Sequence, residues 1–243
     1  MDTIGLTVVY DNYLAGEGLQ TAHGFACVIQ TGDEVVLFDT GSSGQVLLQN
    51  MDELGIDPLR IGAAVLSHMH WDHTGGLDAV LAVHPGMTVY APAAFSSLYL
   101  EDLRPRAGAV VETTQSRRVA GHLCTTDVIE DPLVEQAVYV RTADGIVVIT
   151  GCAHPGVVEL ARSAQRTSGE PIDAVLGGFH MLDMSPAEIA RVIADLKELG
   201  VRRAGPCHCS GDATRDAMRE AFGDTYLDIG VGTRLSFPAP DGG

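Results

Sequence analysis

Three histidines and a carboxylate fall within six residues of the stretch Ser67-His68-Met69-His70-Trp71-Asp72-His73-Thr74-Gly75-Gly76-Leu77. Neutral imidazoles and a carboxylate are borderline-to-hard donors, suited to zinc, iron(II) or manganese. The apolar run Ala63-Ala64-Val65-Leu66 immediately before them reads as a buried strand, too short for a helix. In extended chain alternate side chains share a face, so His68 and His70 can reach one ion together. Asp72 and His73 lie beyond and can turn toward a second ion. Gly75-Gly76 then allows a sharp turn, and Leu77 opens a short helical pattern. Four donors at this spacing after a buried strand read as a metal-binding loop rather than a histidine-rich surface loop.

Three further histidines stand at expected strand ends, where α/β folds place their chemistry: His154, His180 and His208. His154 in Gly151-Cys152-Ala153-His154-Pro155-Gly156 and His208 in Gly205-Pro206-Cys207-His208-Cys209-Ser210-Gly211 are wrapped in glycine, proline and cysteine. They therefore occupy tight loops and are candidate ligands. His180 follows Gly177-Gly178-Phe179 and is a candidate for contact with an ion, a ligand side chain or the substrate. His23, His84 and His122 lack such a setting and read as structural or surface residues.

The elements that must hold these loops alternate. Residues 4–10, 24–30 and 34–38 read as strands, the last two joined at Gly32-Asp33 as a hairpin that ends in Phe38-Asp39-Thr40-Gly41. Ser42 or Ser43 can cap a helix carrying Leu47, Met51 and Leu54, closed by Gly55. Beyond the metal loop, 87–91 reads as a strand and 92–100 as a helix. Residues 101–131 are irregular and hold Arg104, Arg106, Arg117 and Arg118. They form either a solvated excursion or a substrate-facing insertion whose arginines meet an anion. A second hairpin spans 136–142 and 146–150, then come a helix at 157–166 and a strand at 173–176. Ser185-Pro186 with Glu188 makes a capping box for a helix whose stripe is Ile189, Val192, Ile193, Leu196 and Leu199, terminated by Gly200. A helix burying Ala217, Met218 and Ala221 and strands at 225–229 and 233–237 finish the chain. Two similar passes of hairpin and strand–helix alternation predict one αββα sandwich over 1–237, built of two pseudo-duplicated halves, with a loose tail at 238–243.

Of the 243 residues, 46% are hydrophobic, ample for a core of this kind, and the formal charge is −17 with a single lysine, Lys197. Such acidity disfavours a nucleic-acid partner, which needs a concentrated basic surface. A small anionic substrate remains compatible, because bound divalent ions reverse the local field. The N-terminus lacks the basic and apolar regions of a signal peptide, and no apolar run reaches the ~18 residues that span a bilayer. The five cysteines show no disulfide framework, so a reducing cytoplasm is expected.

The stretch 67–76 resembles the signature loop of the metallo-β-lactamase superfamily, and Phe38-Asp39-Thr40-Gly41 its companion motif. A closer resemblance is to the branch similar to 7,8-dihydropterin-6-methyl-4-(β-D-ribofuranosyl)aminobenzene-5′-phosphate synthase. It rests on Glu135-Gln136-Ala137, Thr150-Gly151-Cys152-Ala153-His154-Pro155-Gly156, Gly177-Gly178-Phe179-His180 and Cys207-His208-Cys209-Ser210-Gly211. The resemblance implies a four-layer fold and two divalent ions, zinc first and manganese or iron as alternatives. It places His68, His70 and His154 on one ion, Asp72, His73 and His208 on the other, and makes Asp39 the buried carboxylate that orients a ligand histidine. One departure stands out: where many relatives carry a bridging aspartate after strand-Thr-Gly, this chain has Cys152. Either Cys152 is a ligand, or His154 takes a different place, or only one ion site is filled.

Together these readings predict a metal-dependent hydrolase acting on an ester, phosphoester or lactone. Two ions about 3.5–4 Å apart would lower the pKa of a shared water and supply a hydroxide nucleophile. Asp72 would hold an ion and orient the nucleophile or pass a proton, and His180 would hydrogen-bond the substrate. The alternatives are a synthase-like transferase with Arg104, Arg106, Arg117 or Arg118 on a phosphate, and a non-hydrolytic iron-binding redox protein.

Overall fold

Residues 3–240 are described by a computed structural model. The strand β1 (Thr3–Tyr10) shows how the sandwich begins: Ile4, Leu6 and Val8 alternate into one core. A bulge between Val8 and Tyr10 then turns Val9 and Tyr10 into a second core on the opposite face. The next strands, β2 (Ala26–Thr31) and β3 (Glu34–Phe38), form the expected antiparallel hairpin. Cys27 and Ile29 enter one core and Ala26 and Val28 the other, so this strand reads as a continuous apolar run because both of its faces are covered.

The helix α1 (Gly44–Glu53) is capped by Ser43, whose hydroxyl accepts from the Val46 amide. Next come β4 (Ala63–Val65), the short helices α2 (Trp71–Thr74) and α3 (Leu77–Val83), β5 (Thr88–Pro92), α4 (Ser97–Leu103) and β6 (Ala109–Thr113). Strands β3 to β6 are parallel neighbours. The second half opens with β7 (Arg118–Ala120) and β8 (Leu123–Thr125). The hairpin β9 (Val138–Thr142) and β10 (Gly145–Thr150) follows, then α5 (Val157–Ser168), β11 (Ile172–Gly178), α6 (Pro186–Glu198), β12 (Arg203–Cys207) and α7 (Asp212–Phe222). The last strand, β13 (Arg234–Pro238), returns to pair with β1.

The sheets run β13-β1-β2-β3-β4-β5-β6 and β12-β11-β10-β9-β8-β7. One core lies between them. A second lies under α1, α3 and α4, and a third under α5, α6 and α7. This is the expected four-layer αββα sandwich, and in each half a hairpin leads into parallel strands. Among the described residues no helix is long and apolar enough to cross a membrane.

Four expectations change. The segment 225–229 is not a strand; it touches β12 through one bridge at Tyr226. The buried Arg215 guanidinium donates to the Pro206 and Ile229 carbonyls, at 3.0 and 2.8 Å, and so ties the segment with a side chain instead of a ladder. The helix expected at 92–100 starts later, because Pro92 still pairs with Thr113 in the sheet. Residues 101–131 are not a mere solvated excursion: they build β6 at the edge of one sheet and β7–β8 at the edge of the other. Pro238, expected in the loose tail, pairs with Thr3 and its carbonyl accepts from Ala143, while 241–243 lie outside the described residues.

Candidate metal centre

The parallel strands β3, β4, β10, β11 and β12 all deliver their carboxyl ends to one rim of the sandwich. The chain bends sharply there. Among the described residues, the non-glycine residues with positive φ are Asp39, Ala153, His180 and His208, at φ 55°, 63°, 51° and 50°, and each follows one of these strands. Left-handed backbone at such residues costs on the order of 1–3 kcal/mol and concentrates where function requires a side chain to be re-aimed.

Four of the histidines at this rim are fixed through Nδ1. The Ser67 hydroxyl donates to Asp39 Oδ2 at 2.6 Å, so it accepts from His68 Nδ1 at 2.8 Å. His73 Nδ1 meets the same Asp39 Oδ2 at 2.7 Å. His154 Nδ1 meets Glu135 Oε2 at 2.8 Å. His208 Nδ1 faces Asn12 Oδ1 at 3.0 Å, an oxygen that also accepts from the Gly24 amide. An acceptor on Nδ1 sets the tautomer with the lone pair on Nε2, the arrangement in which an imidazole binds a metal.

Those Nε2 atoms converge. His68, His70 and His154 each offer a nitrogen within 4.8 Å of the others, and an Asp72 oxygen, nitrogens of His73 and His208 and the Cys152 sulfur lie equally close to one another. In the second group His73 Nε2 lies 3.2 Å from both His208 Nε2 and Cys152 Sγ, and Asp72 Oδ2 lies 3.3 Å from His208 Nε2. In the first, His68 is fully buried and its Nε2 has no hydrogen-bond partner. A buried nitrogen aimed at two other imidazoles and left unsatisfied is the signature expected of a ligand atom. The donor set fits divalent ions at both clusters.

Electrostatics agree. Burial, then the neighbouring His73, holds His68 well below the usual imidazole range, and burial followed by His208 takes His73 down to about 3. Both rings are therefore neutral donors at physiological pH. Burial alone would raise the Asp72 carboxyl, but in the metal-free chain a proton on His208 Nε2, which Asp72 itself favours against the pull of burial, and the nearby histidines outweigh it and hold it below the ordinary range. Glu135 is fully buried, yet contact with His154, His68 and the backbone amides brings it down to about 2 against the pull of burial.

Every predicted metal-binding and catalytic residue thus lies at this rim, with His180 beside His154 at 4.3 Å between ring centroids. Cys152 stands inside the second cluster. The sequence reading missed three contributors. His23, read from the sequence as a structural or surface residue, places Nε2 3.2 Å from Asp72 Oδ2 and its ring 5.2 Å from that of His208. Its one sequence signal is the following Gly24, where a Cβ would lie 2.3 Å from the Asp72 carbonyl. Glu135, read from the sequence only within the motif Glu135-Gln136-Ala137 and given no role, accepts the amides of Cys152, Ala153 and His154, and Asn12, which has no motif, orients His208. The four candidate arginines are not here. Arg104 pairs with Glu112 and Arg106 with Asp78 and Asp102, and neither they nor Arg117 and Arg118 line the adjoining cavity of about 530 Å³.

The family model described as the metallo-beta-lactamase superfamily matches residues 21–208, a span that contains both clusters. The chain belongs to the metallo-β-lactamase superfamily. Within the superfamily it is 25% identical to the 7,8-dihydropterin-6-methyl-4-(beta-D-ribofuranosyl)-aminobenzene-5'-phosphate synthase of Methanocaldococcus jannaschii, over 98% of each chain. Among solved structures it matches Tm1679, a metal-dependent hydrolase of the beta-lactamase superfamily, with a TM-score of 0.78 and 27% identity, covering 96% of this chain and 98% of that one. A diphosphatase from the PhnP family shares the superfamily fold, with a TM-score of 0.66 at 15% identity over 97% of this chain and 98% of that one.

Proposed function

We propose that this member of the superfamily is a metal-dependent hydrolase that opens an ester, phosphoester or lactone bond in a small molecule. The observation that carries the reading is the unpartnered, fully buried His68 Nε2 among the Nε2-directed imidazoles. His68, His70 and His154 would hold one divalent ion, and Asp72, His73, Cys152 and His208 the other, with zinc the first candidate. When bound, such ions supply Lewis acidity and bring the pKa of water toward neutrality.

The chain's own residues do the rest. Asp39, Ser67, Glu135 and Asn12 keep His68, His73, His154 and His208 each in one tautomer and one orientation, so little rearrangement of these four is needed at the moment of reaction. Asp72 Oδ2 stands between His208 and His23, where it can accept a proton from an attacking water; the Asn12 amide donates to His23 Nδ1, so the exposed His23 ring donates Nε2–H to Asp72 and steadies its charge. His180 lies on the cavity wall and is free to hydrogen-bond the substrate. Trp71, Leu182 and Met184 at the exposed rim favour a substrate with an apolar portion. With no arginine or lysine lining the cavity among the described residues, charge on an anionic substrate would fall to the ions to balance.

A second reading, a synthase-like transferase, is favoured by the full-length similarity to the dihydropterin synthase. The iron-binding redox reading draws only on Cys152 in the second cluster. Elemental analysis of the purified protein, followed by a screen of carboxylic esters, phosphodiesters and lactones, tests the hydrolase. Two or more zinc or manganese ions per chain with turnover of one ester class supports the hydrolase. A metal-replete protein inert to the whole screen overturns it, and iron alone moves the weight to the redox reading.

A further inference from the structure

Beside the two histidine clusters the structure gathers a third group of donors with a different chemistry. Cys152 Sγ, Cys209 Sγ and a ring nitrogen of His180 all lie within 4.8 Å of one another. They come from three separate strand ends, after β10, β11 and β12. Cys209 Sγ also lies 3.5 Å from the Cys152 carbonyl, which draws the two loops together.

The backbone is shaped to permit this approach. A Cβ at Gly178 would stand 2.8 Å from Cys209 Sγ, 3.2 Å from the Cys152 Cα and 2.2 Å from the Gly151 carbonyl, so any residue but glycine there would push the loops apart. Two residues on, His180 takes φ 51°, which turns its ring back toward them. Ser210 locks the arrangement: its hydroxyl accepts from the Phe179 amide at 3.0 Å and donates to the Cys207 carbonyl at 2.6 Å, joining the ends of β11 and β12. All three donors line the open cavity, so an ion has a path in.

We propose that Cys152, His180 and Cys209 form a third ion site, which takes a thiophilic ion, zinc(II) or copper(I). Two thiolates and an imidazole are a soft donor set, in contrast to the imidazole and carboxylate donors beside it. Cys152 belongs to both neighbourhoods, 3.2 Å from His73 Nε2 and within reach of Cys209, so its thiolate would bridge the second and third ions. An imidazole has two nitrogens, and ligation through one leaves the other for the substrate contact proposed above. The site does not depend on which reaction the chain performs.

The test is a titration of metal-free, reduced full-length protein with cadmium(II), following bound cadmium and the thiolate-to-cadmium charge-transfer absorption in the ultraviolet. Three equivalents are expected, with an absorption that reports two thiolates. Cys209→Ser should bind two equivalents and show the weaker band of Cys152 alone. His180→Ala should weaken the third equivalent by tenfold or more and leave the first two in place. Circular dichroism checks that each variant is folded, and His180→Ala carries the test if Cys209→Ser is not. Saturation of the natural sequence at two equivalents would overturn the site. So would a third equivalent that binds a folded variant with unchanged affinity, since that ion would sit on the acidic surface instead.

Discussion

Asp39 Oδ2 stands 2.7 Å from His73 Nδ1, and the same fully buried carboxylate takes the amide and hydroxyl of Ser67 at 2.7 and 2.6 Å. Through Ser67 it also sets His68, so one side chain disposes a ligand in each cluster. Asp39→Ala should therefore weaken both ions, by about 10–100-fold in affinity. Competition with a chromophoric chelator measures this. Unchanged affinity would mean the rings are held by packing alone.

Gly151 carries a prediction that touches no ligand. A Cβ there would fall 2.2 Å from Ser67 Oγ and 2.9 Å from Asp39 Oδ2. Gly151→Ala should lose about 1–3 kcal/mol of stability by urea denaturation and lose metal as well, although every ligand is intact. A variant with normal metal content would show that the loop can shift without disturbing Asp39.

Asp72→Ala should abolish hydrolysis and lower metal content, because Asp72 Oδ2 contacts His208 at 3.3 Å and His73 at 3.6 Å. The checks are metal analysis and the initial rate on whichever ester the screen identifies. A fully active, metal-replete variant is incompatible with the mechanism.

Glu135 gives a pH dependence with a definite sign. Its carboxyl is at about 2 in the folded chain against 4.5 for an unperturbed glutamate. A depressed carboxylate contributes stability above the unfolded value and loses it as pH falls through the folded one. In metal-free protein, Glu135→Gln should therefore cost on the order of 3 kcal/mol at neutral pH. The gap to the natural sequence should close as pH falls from about 4.5 toward 2. Urea denaturation across that range reads it, and a gap independent of pH would assign Glu135 a packing role instead.

Much of this was legible in the chain. The period-2 and period-3.6 patterns, the Ser185–Glu188 capping box and the loop 67–77 are local signals, and local signals survive in a linear sequence. The segment 225–229 misled because a β-like run says nothing about Arg215, whose guanidinium supplies the bonds a neighbouring strand would have made. Residues 101–131 were unreadable for a related reason. Their short strands exist only because each sheet has an edge for them to join.

By itself the sequence determined which residues carry donor atoms and which strand ends present them, since residue type and periodicity are properties of the chain alone. The tertiary structure decided which donors meet. It brought His23 and Asn12 from the loop after β1 onto Asp72 and His208, and set Glu135 beneath three backbone amides. It also put Cys152 among imidazoles contributed by two different sheets. These are contacts between residues up to 196 positions apart, and they form only when two sheets pack face to face and bring their strand ends to a common rim.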